Sequence, residues 1–553
     1  RMAWVYATFI NEDTELLTSK ADARVTLATV DLAKRAARIP EVGLSFDTAR
    51  QLRLLRLSLP ILSPSDPLEG EELAGLVASM TGRYGKGRYR PKGSAVDLDL
   101  TALSRAMAEG RDADTLEDLW TGWHAVGRPM RPEFARYVEL ANRGAQEVGF
   151  ADTGAMWRSK YDMSPETFER ETERLWEEVR PLYRLLHAYV RKRLGEVYGN
   201  AIVPPSGPIP AHLLGNMWSQ TWEHIFPLLA PAGTSPAFDL TAILRDRQVD
   251  ARELVRVAER FFVSLGFDPL PSTFWERSMF LKPLEREVLC HASAWDVDFV
   301  DDLRIKMCID VTEEEFFVVH HELGHNFYQR AYNRQPFLYR DSANDGFHEA
   351  VGDTIGLSVT PEYLVRIGYL AEAPPASADL GLLLKRALEK IAFLPFGLLV
   401  DRWRWMVFSG EATPEQYNST WWALRTRYQG IAPPRPRSEA DFDPGAKAHI
   451  PSNTPYMRYF LAAILQFQFH RALAQQAGWN GPLHRFSIYG NREAGGRMMR
   501  MFEMGASRPW PEALEALTGS RSMDGSAILD YFRPLESWLR QELEGAPIGW
   551  PGD

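Results

Sequence analysis

The chain has 553 residues, of which 45% are hydrophobic and 25% charged, and its formal net charge is −10. Such a composition is globular rather than disordered, and its mild acidity argues against a nucleic-acid or other polyanionic partner. No window reaches the roughly eighteen consecutive apolar residues of a membrane span, and the length suffices for a large core and more than one lobe.

The opening stretch, RMAWVYATFINEDTELL, lacks a basic n-region, apolar core and cleavage site. The chain therefore reads either as cytosolic or as a mature form whose secretion signal precedes this numbering. Apolar residues at three- and four-residue intervals predict helices over 16–38, 46–57, 70–80, 103–108 and 116–126, with a long amphipathic helix over 165–197. Between them, Gly82 to Gly93 (GRYGKGRYRPKG) is basic and glycine-rich. It lacks the G-K-[ST] ending of a phosphate loop and reads as an exposed loop.

Cys290 and Cys308 are the only cysteines, in segments that alternate like short strands. Adjacent strands would bring their sulfurs within bridging range, which favours a disulfide and an oxidising compartment, periplasmic or exterior; the alternative is two buried thiols.

The chemistry concentrates between His320 and Asp353, where His321, Glu322, Leu323, Gly324 and His325 form H-E-x-x-H. Four residues apart on a helix, His321 and His325 share one face and supply half of a tetrahedral zinc site. Glu322 is placed to act as general base on a water at an open coordination position. A turn-rich connection leads to a second helix over 347–358, which can lie against the first and offer Glu349 as third ligand. Asp353, one turn on, is placed to accept the other ring N–H of a ligating histidine. Singly these residues would read as core histidines and a solvated helix face; as a set they read as one zinc site. His320 and His348, each next to a ligand, point off the metal face and are assigned structural places.

Proline-rich stretches at 203–210, 373–377 and 433–444 read as loops within one compact body. Helices are predicted over 380–408 and over 455–477, the latter capped by Thr454 with Pro455 at its first position. The N-x-T sequence Asn418 to Thr420 offers a glycosylation acceptor. In AKAHIPSNTPYMRYF, Lys447 and His449 share a face, and Tyr456 and Tyr459 lie three apart. This places a cation, an imidazole and two phenols together, a set able to hold a substrate and stabilise an oxyanion; the alternative is that the tyrosines are core aromatics and Lys447 a surface charge. Strands are few, so the class is mainly α.

The stretches PIPAHLLGNMWSQTW, VLCHASAWD, HHELGH, GFHEAVGD, LEKIAFLPFG, DRWRWMVFSG, DFDPGAK and TPYMRYF, followed by QFQFH, occur in this order. Together they resemble the angiotensin-converting enzymes, zinc dipeptidyl carboxypeptidases of the gluzincin type, and weaker similarity covers nearly the whole chain. The resemblance implies a single peptidase unit over 1–553, a two-lobed helical ellipsoid around a deep central channel, with N-terminal helices over about 1–110 as a lid. It implies one zinc ion on His321, His325 and Glu349, Glu322 as general base, and His449 with Tyr459 stabilising the tetrahedral intermediate. Gln220, Lys447 and Tyr456 match the clamp on the substrate's C-terminal carboxylate, and the backbone around His291 and Ala292 matches the edge that pairs with the peptide. The cysteines match the family disulfide.

The implied substrates are short peptides with a free C-terminal carboxylate, with no obligate protein partner. Gln220, where a single-residue-trimming relative has arginine, implies release of dipeptides; single-residue trimming, internal cutting and an inert peptide-binding protein are the competing readings. Chloride dependence is also implied. Tyr161 and Arg458 match one chloride site. At the second, Trp421 and Arg425 match, but His124 stands where another arginine is expected, which predicts one strong site and a weak or missing second. The single catalytic unit, with no anchor after Trp550, resembles bacterial or invertebrate single-domain members.

Overall fold

A computed structural model describes residues 1–231 and 238–553. The described residues are mainly α-helical, and their only paired strands are two short ladders: Ile209–Pro210 parallel to Ile431–Ala432, and Ser293–Asp296 antiparallel to Leu303–Lys306. The chain divides into two compact units and alternates between them. The first comprises Arg1–Ser58, Pro236–Ala378 and Leu461–Tyr531; the second comprises Leu59–Ser235, Asp379–Phe460 and Phe532–Asp553. The stretch expected to form a lid is thus divided at Ser58.

Local chemistry explains most of the helix starts. Ser164 accepts from the N–H of Thr167, and Pro165 occupies the first turn of the 34-residue helix Pro165–Tyr198. Asn11, Ser45, Asp66, Asp99 and Asp112 cap their helices through side-chain oxygens in the same way. The helices predicted over 16–38, 46–57 and 165–197 lie at Glu12–Ala37, Phe46–Arg56 and Pro165–Tyr198. Helices Arg131–Glu147 and Ala251–Ser264 were not singled out by the sequence pattern.

Three expectations need correction. The helix predicted to end at residue 80 runs over Pro67–Gly85, so the basic stretch starts as its last turn. The rest is the expected loop, exposed at Lys86, Arg88, Arg90 and Lys92, but pinned where the Tyr89 hydroxyl donates to Asp118 at 2.7 Å and Gly87 is buried against Trp123. The helix expected from Pro455 starts at Met457. Asn418 is 1% exposed, donates to the Ser438 carbonyl and accepts from the N–H of Asp443, so it has a packing role and is closed to a glycan.

In the second unit the 31-residue helix Asp379–Ser409 is buried along most of its length, from Leu383 to Phe408. Each fully buried leucine or phenylalanine there contributes roughly 1.5–3 kcal/mol. In the first unit the helix Glu313–Tyr332, here called the motif helix, is capped by Thr312 and buries Phe316, Val319, Leu323 and Phe327. Glu313, Glu314 and Glu315 in its first turn complement the helix dipole.

Candidate metal centre and substrate-binding cluster

The motif helix carries His321, Glu322 and His325, and the short helix Phe347–Leu357 lies against it carrying Glu349 and Asp353. Two glycines permit that approach. A Cβ on Gly352 would stand 2.6 Å from His321 Nδ1, and one on Gly324 would stand 3.0 Å from the Gly352 Cα. A side chain at Gly352 would displace the His321 ring, and one at Gly324 would press on the Gly352 backbone.

The ligating atoms of His321, His325 and Glu349 all lie within 4.8 Å of one another, as a group that can hold a metal ion. The two histidine Nε2 atoms are 3.0 Å apart, and Glu349 Oε2 lies 3.3 Å from that of His321 and 3.9 Å from that of His325. A tetrahedral zinc with bonds of roughly 2.0–2.1 Å separates its ligand atoms by about 3.3–3.4 Å. The triad therefore fits zinc in donor type and spacing.

The outer partners are equally defined. Asp353 Oδ1 lies 3.3 Å from His321 Nδ1, which fixes that ring's second nitrogen. Asp353 Oδ2 accepts from the side-chain amide of Gln466 at 3.0 Å. His325 Nδ1 lies 3.3 Å from Nδ1 of His348, whose Nε2 is 3.1 Å from the Tyr332 hydroxyl. His348 is thus not turned away from the site, as its place next to a ligand had suggested. It backs the second histidine of the triad. His320 does take a structural place: it is buried, with Nδ1 near the Phe316 carbonyl and Nε2 near the Tyr363 hydroxyl.

The charges respond to one another. Burial alone would lower the His321 pKa, but hydrogen bonding to Asp353 and Glu349 outweighs it and raises the value to about 10. Burial would raise Glu349, yet His321 and His325 pull it down to about 2. His325 is lowered to about 3 by burial and by its histidine neighbours. The two carboxylates thus favour a positive charge on His321, and that charge disfavours a second one on His325. Glu322, 8% exposed, is raised to about 7 by burial, partly opposed by His321 and by the Ala294 N–H that it accepts. A carboxyl poised near neutrality suits a group that takes and returns a proton.

Ala294 belongs to the strand Ser293–Asp296, the outer member of its ladder among the described residues. His291 is exposed and Ala292 half-buried just before this strand. Lys306 donates to the carbonyls of Leu289 and His291, and Cys290 is bonded to Cys308, so the segment is held from two sides.

The second unit holds the other predicted residues. Lys447, 6% exposed, donates to Gln220 Oε1 at 2.7 Å and lies 4.2 Å from the centre of the Trp218 ring. The Tyr456 hydroxyl is 3.5 Å from the same Gln220 oxygen. No carboxylate among the described residues pairs with Lys447, and burial, with Arg425 nearby, lowers its pKa to about 7. His449 packs edge-on against Tyr456 and Tyr459, with ring centres 4.7 and 5.7 Å away. Burial, then Lys447, Arg404 and Arg458, lower His449 to about 3, so its ring is neutral.

The sequence matches the angiotensin-converting enzyme family model over residues 1–550. The chain belongs to that family. Relatives called angiotensin-converting enzyme include those of Rattus norvegicus, 44% identical across 99% of this chain, and Oryctolagus cuniculus, 43% identical across 99%. The chain spans 42% of the length of each of these two proteins. The enzyme of the same name from Theromyzon tessulatum is 44% identical over 87% of this chain and 79% of its own length.

Among the angiotensin-converting enzyme family positions read from the sequence, Tyr161 is buried and stacks on Phe168 with ring centres 4.0 Å apart. Arg458 directly precedes Tyr459 at the start of the helix Met457–Gln476. Arg425 is buried beneath Trp421 and donates to the Trp218 carbonyl. His124 is buried, stacked on Trp120 at 3.7 Å and lowered to about 4, chiefly by burial, so this family member places a neutral ring at that position. No helix among the described residues is long and apolar enough to cross a membrane.

Proposed function

We propose that the protein is a zinc peptidyl-dipeptidase that removes dipeptides from the C-terminus of short peptides, modulated by chloride and working outside the cytoplasm. The observation that carries the substrate reading is Lys447. A buried ammonium that no carboxylate neutralises is costly unless an anion joins it. An amide oxygen and a phenol beside it complete a receptor for a C-terminal carboxylate.

Zinc held by His321, His325 and Glu349 would supply an activated water and polarise the scissile carbonyl. Glu322 takes the proton from that water and returns it to the leaving amine. His449, neutral, and Tyr459 donate to the tetrahedral oxyanion. The edge at His291 and Ala292 offers backbone groups that pair with the peptide as an added strand. Gln220, Lys447 and Tyr456 hold the carboxylate, and the retention of all three supports dipeptides as the product.

Tyr161 with Arg458 is the stronger proposed chloride site, and the neutral His124 beside Arg425 supports a weak second one. The Cys290–Cys308 disulfide supports an oxidising compartment.

The test is mass spectrometry of an N-terminally blocked decapeptide incubated with the protein, with and without chelator and across chloride concentrations. Stepwise loss of dipeptides that the chelator stops and chloride stimulates is expected. Loss of single residues would reject the clamp, and no cleavage in zinc and chloride would reject the activity.

A further inference from the structure

The segment from Lys447 to Tyr459 carries four of the proposed substrate contacts, yet most of it is neither helix nor strand. Pro451 and Pro455 remove two donors, and Asn453 takes a left-handed conformation at φ 54°. Irregular backbone of this kind needs partners for its polar groups, and an adjacent pair of buried charges supplies them. Asp401 and Arg404 lie one turn apart on the helix Asp379–Ser409, their side chains 2% and 0% exposed.

Asp401 Oδ2 accepts from the N–H groups of Tyr456 and Met457 at 2.8 and 2.7 Å. Free donors at a helix start are ordinarily met by a residue just before it. Here a carboxylate from another helix does so, which is why the helix starts at Met457 and not at Pro455. Arg404 donates to the carbonyls of His449 at 3.0 Å and Thr454 at 2.7 Å. Its Nε donates to Asp401 Oδ1 at 2.9 Å, and its guanidinium lies 4.8 Å from the centre of the Trp157 ring.

We propose that Asp401 and Arg404 are positioning residues, a buried brace that sets His449 and Tyr456 for substrate. This rests on the proposed roles of those two side chains. The brace fixes both through their backbones: Arg404 holds the His449 carbonyl, and Asp401 holds the Tyr456 N–H. A buried ion pair is a poor source of stability, because an apolar pair of similar volume folds about as well. What an apolar pair lacks is the ability to hold these four backbone groups.

The decisive variant is therefore Asp401→Leu with Arg404→Met, compared with Asp401→Asn alone. Kinetics are measured on a blocked peptide with a free C-terminus and on its C-terminal amide, beside zinc stoichiometry and thermal midpoint. The double variant is expected to bind one zinc with a lowered thermal midpoint, because four buried backbone groups lose their partners, while kcat/KM on the free-acid peptide falls about 100-fold, the scale of a misplaced catalytic group. Its preference for the free acid over the amide should shrink as well. Asp401→Asn keeps the side-chain shape and should lose about tenfold, within the same scale. This single variant decides the question if the double one does not fold. Wild-type kinetics in a folded double variant, or in Asp401→Asn should the double variant not fold, would overturn the brace. Lys447→Met and His449→Ala separate the two ideas. If these also leave the kinetics unchanged, the substrate-site reading fails; if they are impaired while the brace variants are not, only the brace fails.

Discussion

Gln466 donates from its side-chain amide to Asp353 Oδ2 at 3.0 Å, while the other oxygen of that carboxylate lies 3.3 Å from His321 Nδ1. Amide, carboxylate and imidazole form a line ending at the proposed zinc. Gln466 is fully buried, whereas the Asp353 side chain is 23% exposed, so solvent can offset part of a lost amide and the expected effect is small. Removing groups that orient metal-binding histidines typically weakens metal affinity by about 10–100-fold, and Gln466→Leu, one step farther out, should cost about 3–10-fold. Competition with a chromophoric chelator measures it. An unchanged zinc dissociation constant would show that Asp353 is oriented without Gln466.

Glu322 has a different signature because it is not a ligand. Glu322→Gln keeps the shape and the neighbouring contacts but cannot accept the proton. Turnover should fall by about 10²–10⁴-fold while one zinc per chain remains bound. Retention of most of the activity would remove Glu322 from the role of general base.

The divided legibility of this site follows from distance along the chain. His321, Glu322 and His325 are fixed by the pitch of one helix, and Asp353 follows Glu349 by one turn, so local spacing reveals them all. Gln466 reaches Asp353 from 113 positions away, and Asp401 reaches Tyr456 from 55; no local periodicity encodes either pairing. The place of His348 is not legible, because adjacency to Glu349 says where it does not ligate, not that His325 turns its second nitrogen toward it. The mainly α class was legible from apolar spacing. The helix start at Met457 was not, because a distant carboxylate replaces the local cap that Thr454 and Pro455 suggested.

Lys447 predicts a pH dependence of binding. Its folded-state pKa, lowered to about 7, lies below the ordinary 10.5, so the free protein loses this cation as pH rises through about 7. For a peptide with a free C-terminus, kcat/KM should therefore fall on that limb, and its C-terminal amide should lack the limb. The linked stability has a fixed sign. Below about pH 7 the folded state bears a buried ammonium; between about 7 and 10.5 the unfolded chain binds more protons and stability rises with pH. Lys447→Met should thus raise the thermal midpoint most at low pH. A pH-independent gain would contradict the assigned pKa.

The Cys290–Cys308 bridge closes a loop over a separation of 18 residues around the ladder that carries Ala294 and starts just after Ala292. Replacing both cysteines with serine should cost about 3 kcal/mol by loop-closure arithmetic, seen as a lower denaturant midpoint. The loosened edge should also raise KM for longer peptides. A lower midpoint with unchanged KM would assign the bridge to stability alone.

His124 makes the chloride reading testable through one side chain. The ring is buried against Trp120 and neutral at pH 7, its pKa lowered to about 4 mainly by burial, with Arg437 and Arg425 adding to that while Asp443 opposes it. Arg425 is the second proposed site's cation, and burial has already lowered its pKa to about 9. One guanidinium in that setting holds an anion less firmly than two. Rate against chloride concentration should therefore follow a single saturating curve in the wild type. His124→Arg adds a permanent cation within electrostatic reach of Arg425, and a bound anion would offset their repulsion. That variant should show a second, separable chloride response together with chloride-dependent thermal stabilisation, because a bound anion favours the folded state. Two chloride steps already present in the wild type would mean that Arg425 suffices without a second arginine, and His124 would then be no more than a packing residue.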